Sequence, residues 1–123
     1  MAKKILIADD EAHILTLLEA RLSKAGYSVI KAATGIEAVA LAKKELPALI
    51  ISDILMPDID GGEVSKILES DPATKDIPII FLTALLRKEE EKGREKVSGR
   101  YFIAKPFDAV ELLRVVEKCM EQK

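Results

Sequence analysis

Cysteine is almost absent from this sequence of 123 residues, where it occurs once, at Cys119. A single cysteine excludes a disulfide within the chain and a metal centre built from several cysteines. Cys119 lies near the end of an amphipathic segment, so we predict a partly buried helix residue. An excess of one charge is missing as well, because 19 basic and 21 acidic side chains leave a net charge of -2. That balance argues against nucleic-acid binding through charge alone.

Long apolar runs are also missing. The first apolar run covers only residues 5–8 before three acids follow, which is too short for a signal peptide or a membrane span. We therefore expect a cytoplasmic protein that does not bind membranes. The sequence has neither a glycine-rich Walker loop nor a dinucleotide fingerprint after its first predicted strand, so it gives no support to nucleotide binding.

The apolar residues that are present suffice for one core. At 13.5 kDa and 49% hydrophobic residues, the chain fits one domain over residues 1–123. Short runs rich in β-branched residues predict five strands, at residues 4–8, 28–33, 48–52, 78–82 and 101–104. Three of these runs, ILIA, LIIS and IIFL, are apolar without alternation, as in strands that helices cover on both sides. This pattern predicts a parallel sheet.

Helical segments alternate with the predicted strands. Apolar spacing predicts a first helix over residues 14–25, which Gly26 would end. Capping-box spacing marks the starts of three later helices, in the pairs Thr34/Glu37, Asp60/Glu63 and Asp108/Glu111. Residues 87–96 are mostly charged, with lysines that repel one another on one helix face, and predict a weak, mobile fourth helix. The pattern is therefore (βα)5 from end to end.

Polar side chains collect where the predicted strands end, which is where ligands bind in open parallel α/β sheets. They are Asp9, Asp10 and Glu11 after the first strand, Asp53 after the third, Thr83 after the fourth and Lys105 after the fifth. The second strand contributes little, which suits an edge position in a sheet of order 2-1-3-4-5. Each of these residues alone would more often cap a helix or face solvent. Their convergence from four strand ends favours a functional site.

The chemistry of these side chains indicates a metal and a phosphoryl group. Asp9, Asp10 and Asp53 would repel one another in a shared cleft, and a hard divalent cation with oxygen ligands relieves such repulsion. Mg²⁺ suits the site because it takes few protein ligands and keeps waters and a phosphate oxygen. Lys105 then offers a compact positive charge to one phosphoryl oxygen, and the Thr83 hydroxyl can donate to another.

The same residues stand in the motifs ILIADDE, LIISDILMPDIDG, IIFLTA and FIAKPF. In this order the motifs resemble the receiver domain of two-component response regulators, and the resemblance covers essentially the whole chain. It implies an α/β fold of the flavodoxin-like type, a doubly wound (βα)5 three-layer sandwich with a parallel sheet of order 2-1-3-4-5. It also implies a phosphorelay module that receives a phosphoryl group from a histidine kinase or a phosphotransfer protein and signals to an unknown downstream protein.

The resemblance implies a role for each motif residue. Asp53 would be the phosphoacceptor, and Lys105 and Thr83 would hold the phosphoryl oxygens. The ligands of Mg²⁺ would be Asp10, Asp53 and the backbone carbonyl of Leu55, with Asp9 acting through a water. The small side chain of Ala84 would let these groups approach.

Thr83 and Phe102 would form the switch that reports phosphorylation. The family couples movement of the threonine-type residue to an aromatic side chain three residues before the lysine. Phe102 holds that position, where receivers often have tyrosine, so it can turn inward but carries no hydroxyl. Tyr101 should face the opposite side of the sheet by strand alternation. The signalling surface would be built from the predicted fourth helix, the fifth strand and the last helix.

Two rival functions remain open. A haloacid-dehalogenase-like phosphohydrolase also uses a strand-end aspartate and Mg²⁺, but it expects a second acid two residues later, where this chain has Leu55. A pseudo-receiver adaptor would bind partners without phosphorylation, but its usual mark is the loss of a site residue. His13, the only histidine, offers a phosphohistidine or a metal ligand, although its place in the first helix favours a surface role. We expect a receiver that phosphorylates and dephosphorylates itself, not an enzyme that turns over an external substrate.

Overall fold

The computed structural model describes residues 2–54, 56, 58–59, 61–83 and 101–121. Strands and helices alternate over residues 4–83, and a fifth strand and a fourth helix lie in residues 101–121. The strands are β1 (Lys4–Ala8), β2 (Ser28–Ala32), β3 (Leu49–Asp53), β4 (Ile79–Thr83) and β5 (Tyr101–Ala104). The helices are α1 (Ala12–Lys24), α2 (Gly35–Glu45), α3 (Gly61–Glu69) and α4 (Ala109–Glu121). The helix predicted at residues 87–96 lies outside the described residues.

The five strands form one parallel sheet in the order β2-β1-β3-β4-β5. All residues of β3 and β4 are buried, and β1 is buried except for Lys4. The edge strand β2 is only partly covered. Continuous apolar strands lie at the centre of the sheet because both of their faces are covered. This arrangement confirms the predicted doubly wound, flavodoxin-like α/β fold and its strand order.

Helices cover both faces of the sheet and create two separate cores. Helices α1 and α4 pack on one face, where the fully buried helix side chains include Leu18, Leu22, Leu112 and Val116. Helices α2 and α3 pack on the other face through Ala38, Ala42, Val64 and Leu68. Cys119 lies fully inside the first core, deeper than its sequence position predicted. No helix in the described part of the chain is both long and apolar enough to cross a membrane.

Several element boundaries differ by one or two residues from the predicted ones. Strands β3 and β4 each extend one residue further, because Asp53 pairs with Leu82 and Thr83 pairs with Ala104 in the ladder. Two expected site residues are therefore the last residues of strands, not the first residues after them. Helix α1 begins two residues early, after an extended Glu11, and Gly26 follows its end with a φ of 100°.

The capping box predicted at the start of α2 is formed. The Thr34 hydroxyl accepts a hydrogen bond from the Glu37 amide at 3.1 Å, and the Glu37 carboxylate accepts one from the Ala33 amide at 2.8 Å. That second bond takes the Ala33 amide, and β2 ends at Ala32. The first contact satisfies an amide that a helix start leaves without a helical partner, and the second holds the residue before the N-cap.

The other two predicted capping boxes have different outcomes. Asp108 caps α4 by accepting a hydrogen bond from the Val110 amide at 2.7 Å. Asp60, the predicted cap of α3, lies outside the described residues.

A second acidic side chain caps α2 from a distant part of the sequence. The two carboxylate oxygens of Asp58, in the loop after β3, accept hydrogen bonds from the amides of Gly35 at 2.9 Å and Ile36 at 2.8 Å. These two backbone hydrogen bonds lower the pKa of Asp58 to about 2, and the bond from Ile36 has the larger effect. The loop also approaches α2 closely, since a Cβ on Gly35 would overlap Ile59 Cγ1 and lie 2.9 Å from the Ile59 carbonyl oxygen. Glycine is therefore required at position 35.

We predict that the contribution of Asp58 to stability depends on pH. Its pKa is depressed in the fold from 3.8 to about 2, so its stabilisation is fully present above the higher value and is lost as the pH falls through the lower one. Urea unfolding of wild type and Asp58→Asn should therefore show a constant stability difference above about pH 5 that shrinks towards pH 2. Asp76→Asn, which removes the same charge from an exposed site, is the matched control. A difference for Asp58→Asn that persists unchanged to pH 2 would contradict the prediction.

Candidate functional site

The carboxyl ends of β1 and β3 bring three carboxylates together. Ala8 pairs with Ser52 in the parallel register, so the next residues, Asp9 and Asp53, lie level at one edge of the sheet. Asp10 follows directly. One carboxylate oxygen from each of the three aspartates lies within 4.8 Å of the other two. The acidic cluster predicted from the strand ends is therefore present.

Two of these three acids are buried. Asp9 is 0% exposed and Asp53 is 7% exposed, whereas Asp10 faces solvent. Two hydrogen bonds hold Asp9 in place. Its Oδ1 accepts a hydrogen bond from the Glu11 amide at 3.0 Å, and its backbone amide donates one to the Ala32 carbonyl at 3.2 Å. Asp10 consequently forms the solvent side of the cluster.

Lys105 supplies the positive charge of the cluster. Its Nζ donates to Asp9 Oδ2 at 3.0 Å, lies 3.4 Å from Asp53 Oδ2 and lies 3.7 Å from Glu11 Oε1. Burial by itself would lower the pKa of Lys105, but the hydrogen bond that Lys105 donates to Asp9 and the charges of Asp9 and Asp53 outweigh it, so the pKa is raised. The ammonium group therefore stays charged at neutral pH.

The end of β5 sets Lys105 beside Thr83. Ala104 pairs with Thr83 in the ladder, and the Lys105 amide donates to the Thr83 carbonyl at 2.9 Å. The Lys105–Pro106 peptide bond is cis. Thr83 is 3% exposed. The hydroxyl residue and the cation thus lie next to each other at adjacent strand ends.

Two aromatic side chains of β5 face opposite sides of the sheet, as alternation predicts. Tyr101 is buried in the core beneath α1 and α4, whereas Phe102 packs against the opposite core. The Phe102 ring lies against Phe81, with ring centroids 5.6 Å apart. Phe102 and Phe81 belong to the same core, and Phe81 precedes Thr83 by two residues on β4, so all three share one face of the sheet.

Comparison with known proteins identifies the family. The model of the response regulator receiver domain matches residues 5–117. This chain belongs to the response regulator receiver domain family. It is 43% identical over 110 residues to the protein named Probable transcriptional regulator ycf27 of Porphyridium aerugineum, and the match covers 89% of this chain and 45% of the relative. The chain thus spans less than half the length of that curated relative.

Solved receiver structures share the fold over nearly their whole length. The chemotaxis response regulator CheY4 of Vibrio cholerae has a TM-score of 0.84 and 34% identity, with 97% of this chain and 99% of that chain covered. The receiver domain of the sensor histidine kinase PA1611 from Pseudomonas aeruginosa has a TM-score of 0.86 and 28% identity, covering 98% and 99%. The latter structure holds a magnesium ion in its active site cleft.

The acidic cluster of this receiver domain fits a hard divalent cation. Its donors are all carboxylate oxygens, the ligand type that Mg²⁺ and Ca²⁺ prefer. Two of the carboxylates are buried, and among the described residues only the ammonium of Lys105 offsets the three negative charges, which it cannot balance alone. A further positive charge at the cluster would therefore be stabilised by the residues already there.

The remaining predicted site residues are Leu55, Ala84 and His13. Leu55, whose carbonyl was expected to bind Mg²⁺, and Ala84 lie outside the described residues. His13 is exposed on the first turns of α1, as its sequence position indicated.

The sequence did not reveal two acidic contacts of the receiver domain. Glu11 lies 3.7 Å from Lys105 and thus adds a third carboxylate around this ammonium. Its position after the acidic pair was a usable signal, because it shares the same strand end. Asp58 gave no such signal, since its partners on α2 are 22 and 23 residues away along the chain.

We predict that Asp10→Asn stabilises the receiver domain in metal-free buffer. The substitution removes one of three crowded negative charges at an exposed position, so the repulsion falls while buried contacts remain. The expected rise in Tm is about 3 to 5 °C for a domain of this size.

The same variant should lose most of the stabilisation that added Mg²⁺ gives the wild type, since bound ligands stabilise the fold by mass action. Asp76→Asn is the control for a lost charge outside the cluster. Thermal unfolding with and without Mg²⁺ measures both effects. A lower Tm for Asp10→Asn in metal-free buffer would contradict the repulsion argument.

Proposed function

We propose that this receiver domain accepts a phosphoryl group on Asp53 in a Mg²⁺-dependent reaction in the cytoplasm. The donor would be the phosphohistidine of a histidine kinase or a phosphotransfer protein. The observation that supports this proposal is the setting of Asp53, whose carboxylate lies 3.4 Å from Lys105 Nζ within a cluster of two further acids. A nucleophile, a cation for the phosphoryl group and a set of oxygen ligands thus share one cleft.

The reaction is an in-line displacement at phosphorus. An electron pair of an Asp53 oxygen forms the new O–P bond while the N–P bond of the phosphohistidine breaks. The electrons of the broken bond leave with the ring, which departs as neutral imidazole when its second nitrogen is protonated. The product on Asp53 is a mixed carboxylic-phosphoric anhydride. Positioning and charge stabilisation are what the protein has to contribute.

The metal site follows from the same cluster. Asp10, Asp53 and the backbone carbonyl of Leu55 would hold Mg²⁺, and Asp9 would act through a water. When bound, the ion supplies positive charge to the oxygens of the transferring phosphoryl group. The buried Asp9 is already fixed by the Glu11 amide, so its orientation does not have to be established during binding.

Lys105 would exchange one partner as the phosphoryl group arrives. Its Nζ is closer to Asp9, at 3.0 Å, than to Asp53, at 3.4 Å. It can therefore keep Asp9 as an anchor while its contact with Asp53 passes to a phosphoryl oxygen. The Thr83 hydroxyl, at the adjacent strand end, would donate a hydrogen bond to another oxygen.

Thr83 and Phe102 would carry the signal away from the site. A hydroxyl that moves towards the phosphoryl group leaves space on the face of the sheet that Phe102 shares. Phe102 is only partly buried, so its ring has room to turn between two positions. The surface that changes would include β5, α4 and the predicted helix at residues 87–96.

Residues 1–123 would form one receiver domain and would not be a turnover enzyme. A histidine kinase or phosphotransfer protein would be its upstream partner, and an unknown protein its downstream partner. Direct binding of nucleic acid or membranes plays no part in it. A haloacid-dehalogenase-like hydrolase is not favoured, because Leu55 stands where that chemistry needs an acid. A pseudo-receiver is not favoured either, since the acidic cluster and Lys105 are intact.

We predict that Asp53 is the sole phosphoacceptor. Asp53→Asn should reduce labelling by radioactive acetyl phosphate to background, because an amide is a poor nucleophile and cannot form the acyl phosphate. Chelation of Mg²⁺ should have the same effect on wild type, whereas Asp76→Asn should be labelled normally. Wild-type labelling of Asp53→Asn, or labelling that survives chelation, would refute the assignment.

We predict that Thr83→Ala separates phosphorylation from switching. The variant keeps Asp53, Lys105 and the acidic cluster, so it should still be labelled, but it lacks the hydroxyl that moves. Amide NMR spectra with and without beryllofluoride test this, and wild type should show large shifts across residues 84–104 that the variant lacks. Thr83→Ser, which retains the hydroxyl, should restore them. A full wild-type response in Thr83→Ala would remove this mechanism.

A further inference from the structure

Three described residues of the loop that follows Asp53 have contacts that hold the loop, and they are Ile54, Met56 and Asp58. At its start, the Ile54 amide donates to the Leu82 carbonyl at 3.1 Å. In the middle, Met56 is 7% exposed and belongs to the core beneath α2 and α3. At its end, Asp58 reaches α2 with both carboxylate oxygens. The first two contacts are to the sheet and the core, and the third is to a helix start.

Asp58 caps α2 from outside the helix, in addition to the local caps Thr34 and Glu37. Thr34 and Glu37 already form the capping box, which lies within α2 and its own entry. Asp58 takes the two remaining amides, those of Gly35 and Ile36, from outside the helix. A charged acceptor at a helix start also interacts favourably with the helix dipole. Of the three caps, only Asp58 connects the helix to the loop of the phosphoacceptor.

The packing of the loop on α2 leaves little freedom at this contact. A side chain at position 35 would collide with Ile59, including its backbone carbonyl oxygen. The hydrogen bonds of Asp58 and the contact of Ile59 therefore fix two consecutive loop residues against one turn of helix. Asp58 lies only four residues after Ile54 along the chain, so the described residues at both ends of this short loop have fixed contacts.

We propose that Asp58 is a positioning residue for Mg²⁺ binding, which it promotes by holding the loop after Asp53 against the start of α2. The inference rests on the proposed Mg²⁺ site. A loop ordered before the ion arrives does not have to be ordered by it, so part of the binding free energy is not lost. The pKa of Asp58 is lowered to about 2, so the carboxylate is ionised at neutral pH.

Binding and positioning must then affect each other equally. If the contact between Asp58 and α2 favours Mg²⁺ binding, Mg²⁺ binding strengthens the contact by the same factor. The amides of Gly35 and Ile36 therefore report on the ion, although the acids of the cluster belong to other elements. In unmodified protein, their NMR signals should move as Mg²⁺ is added, with the same dissociation constant as the signals of Asp9 and Asp53.

The matched pair of variants is Asp58→Ala and Glu37→Ala. Each removes one carboxylate that accepts a backbone hydrogen bond at the same end of α2, but only the first releases the loop. NMR titration of the full chain with MgCl2 gives the dissociation constant for each. Asp58→Ala should raise it by about tenfold, at the low end of what residues supporting a metal site contribute. Glu37→Ala should leave the dissociation constant within about twofold, since the bond of Glu37 to Ala33 lies in the connection between β2 and α2 and does not involve the loop after Asp53.

Two further variants separate positioning from general stability. Asp58→Asn keeps one side-chain acceptor and should restore part of the affinity. Gly35→Ala should weaken Mg²⁺ binding like Asp58→Ala, because the new methyl group displaces Ile59, although alanine is the better helix former. If Mg²⁺ affinity depended on helix stability alone, Gly35→Ala would bind Mg²⁺ more tightly than the wild type.

The outcomes distinguish the inference from the proposed function. If wild type shows no Mg²⁺ response at Asp9, Asp10 or Asp53, the proposed function fails and takes the inference with it. If wild type binds Mg²⁺ but Asp58→Ala and Glu37→Ala change the dissociation constant for Mg²⁺ equally, only the inference about Asp58 fails. If Asp58→Ala does not fold, the Gly35 and Ile36 signals of wild type decide, and their failure to respond to bound Mg²⁺ overturns the inference.

Discussion

The balance of charge between one ammonium and the carboxylates at the strand ends is the constraint on which this structure depends. Two like charges 4 Å apart repel by about 1 kcal/mol in water and by about 4 kcal/mol at an effective dielectric constant of 20. Asp9 and Asp53 are buried, so their repulsion is less screened than it would be in water, and Lys105 offsets it by contacting both. The cluster still has an excess of negative charge. That excess fits a divalent cation, which in the proposed function would in turn favour a phosphoryl group.

The parallel sheet is what makes this concentration of charge possible. In an open parallel sheet all strands end at the same edge, so β1, β3, β4 and β5 deliver their last residues to one place. Apolar side chains form one core on each face of the sheet. Their packing offsets the repulsion among the acids of the cluster. A crowded acidic cluster costs stability by charge repulsion, and such a cost is common at functional sites.

The parts of the site that could be predicted from sequence are those encoded locally. Asp9, Asp10, Asp53, Thr83 and Lys105 each stand at the end of a short apolar run, and the topology then brings them together without further information. The position of Asp58 could not be predicted, because its partners on α2 are set by how the loop packs in three dimensions. The ends of β3 and β4 were predicted one residue early for a related reason. Backbone pairing with the neighbouring strand, not side-chain polarity, decides where a strand ends.

We propose that the acidic cleft directs a phosphoryl group to one carboxylate, and the most direct test of this is to locate the acyl phosphate chemically. The chain would be incubated with acetyl phosphate and Mg²⁺, reduced with borohydride, which converts an aspartyl phosphate to homoserine, and analysed by tandem mass spectrometry. The account predicts homoserine at position 53 and at no other aspartate. Homoserine at Asp10 or Asp58, or a modified chain with aspartate retained at position 53, would contradict it.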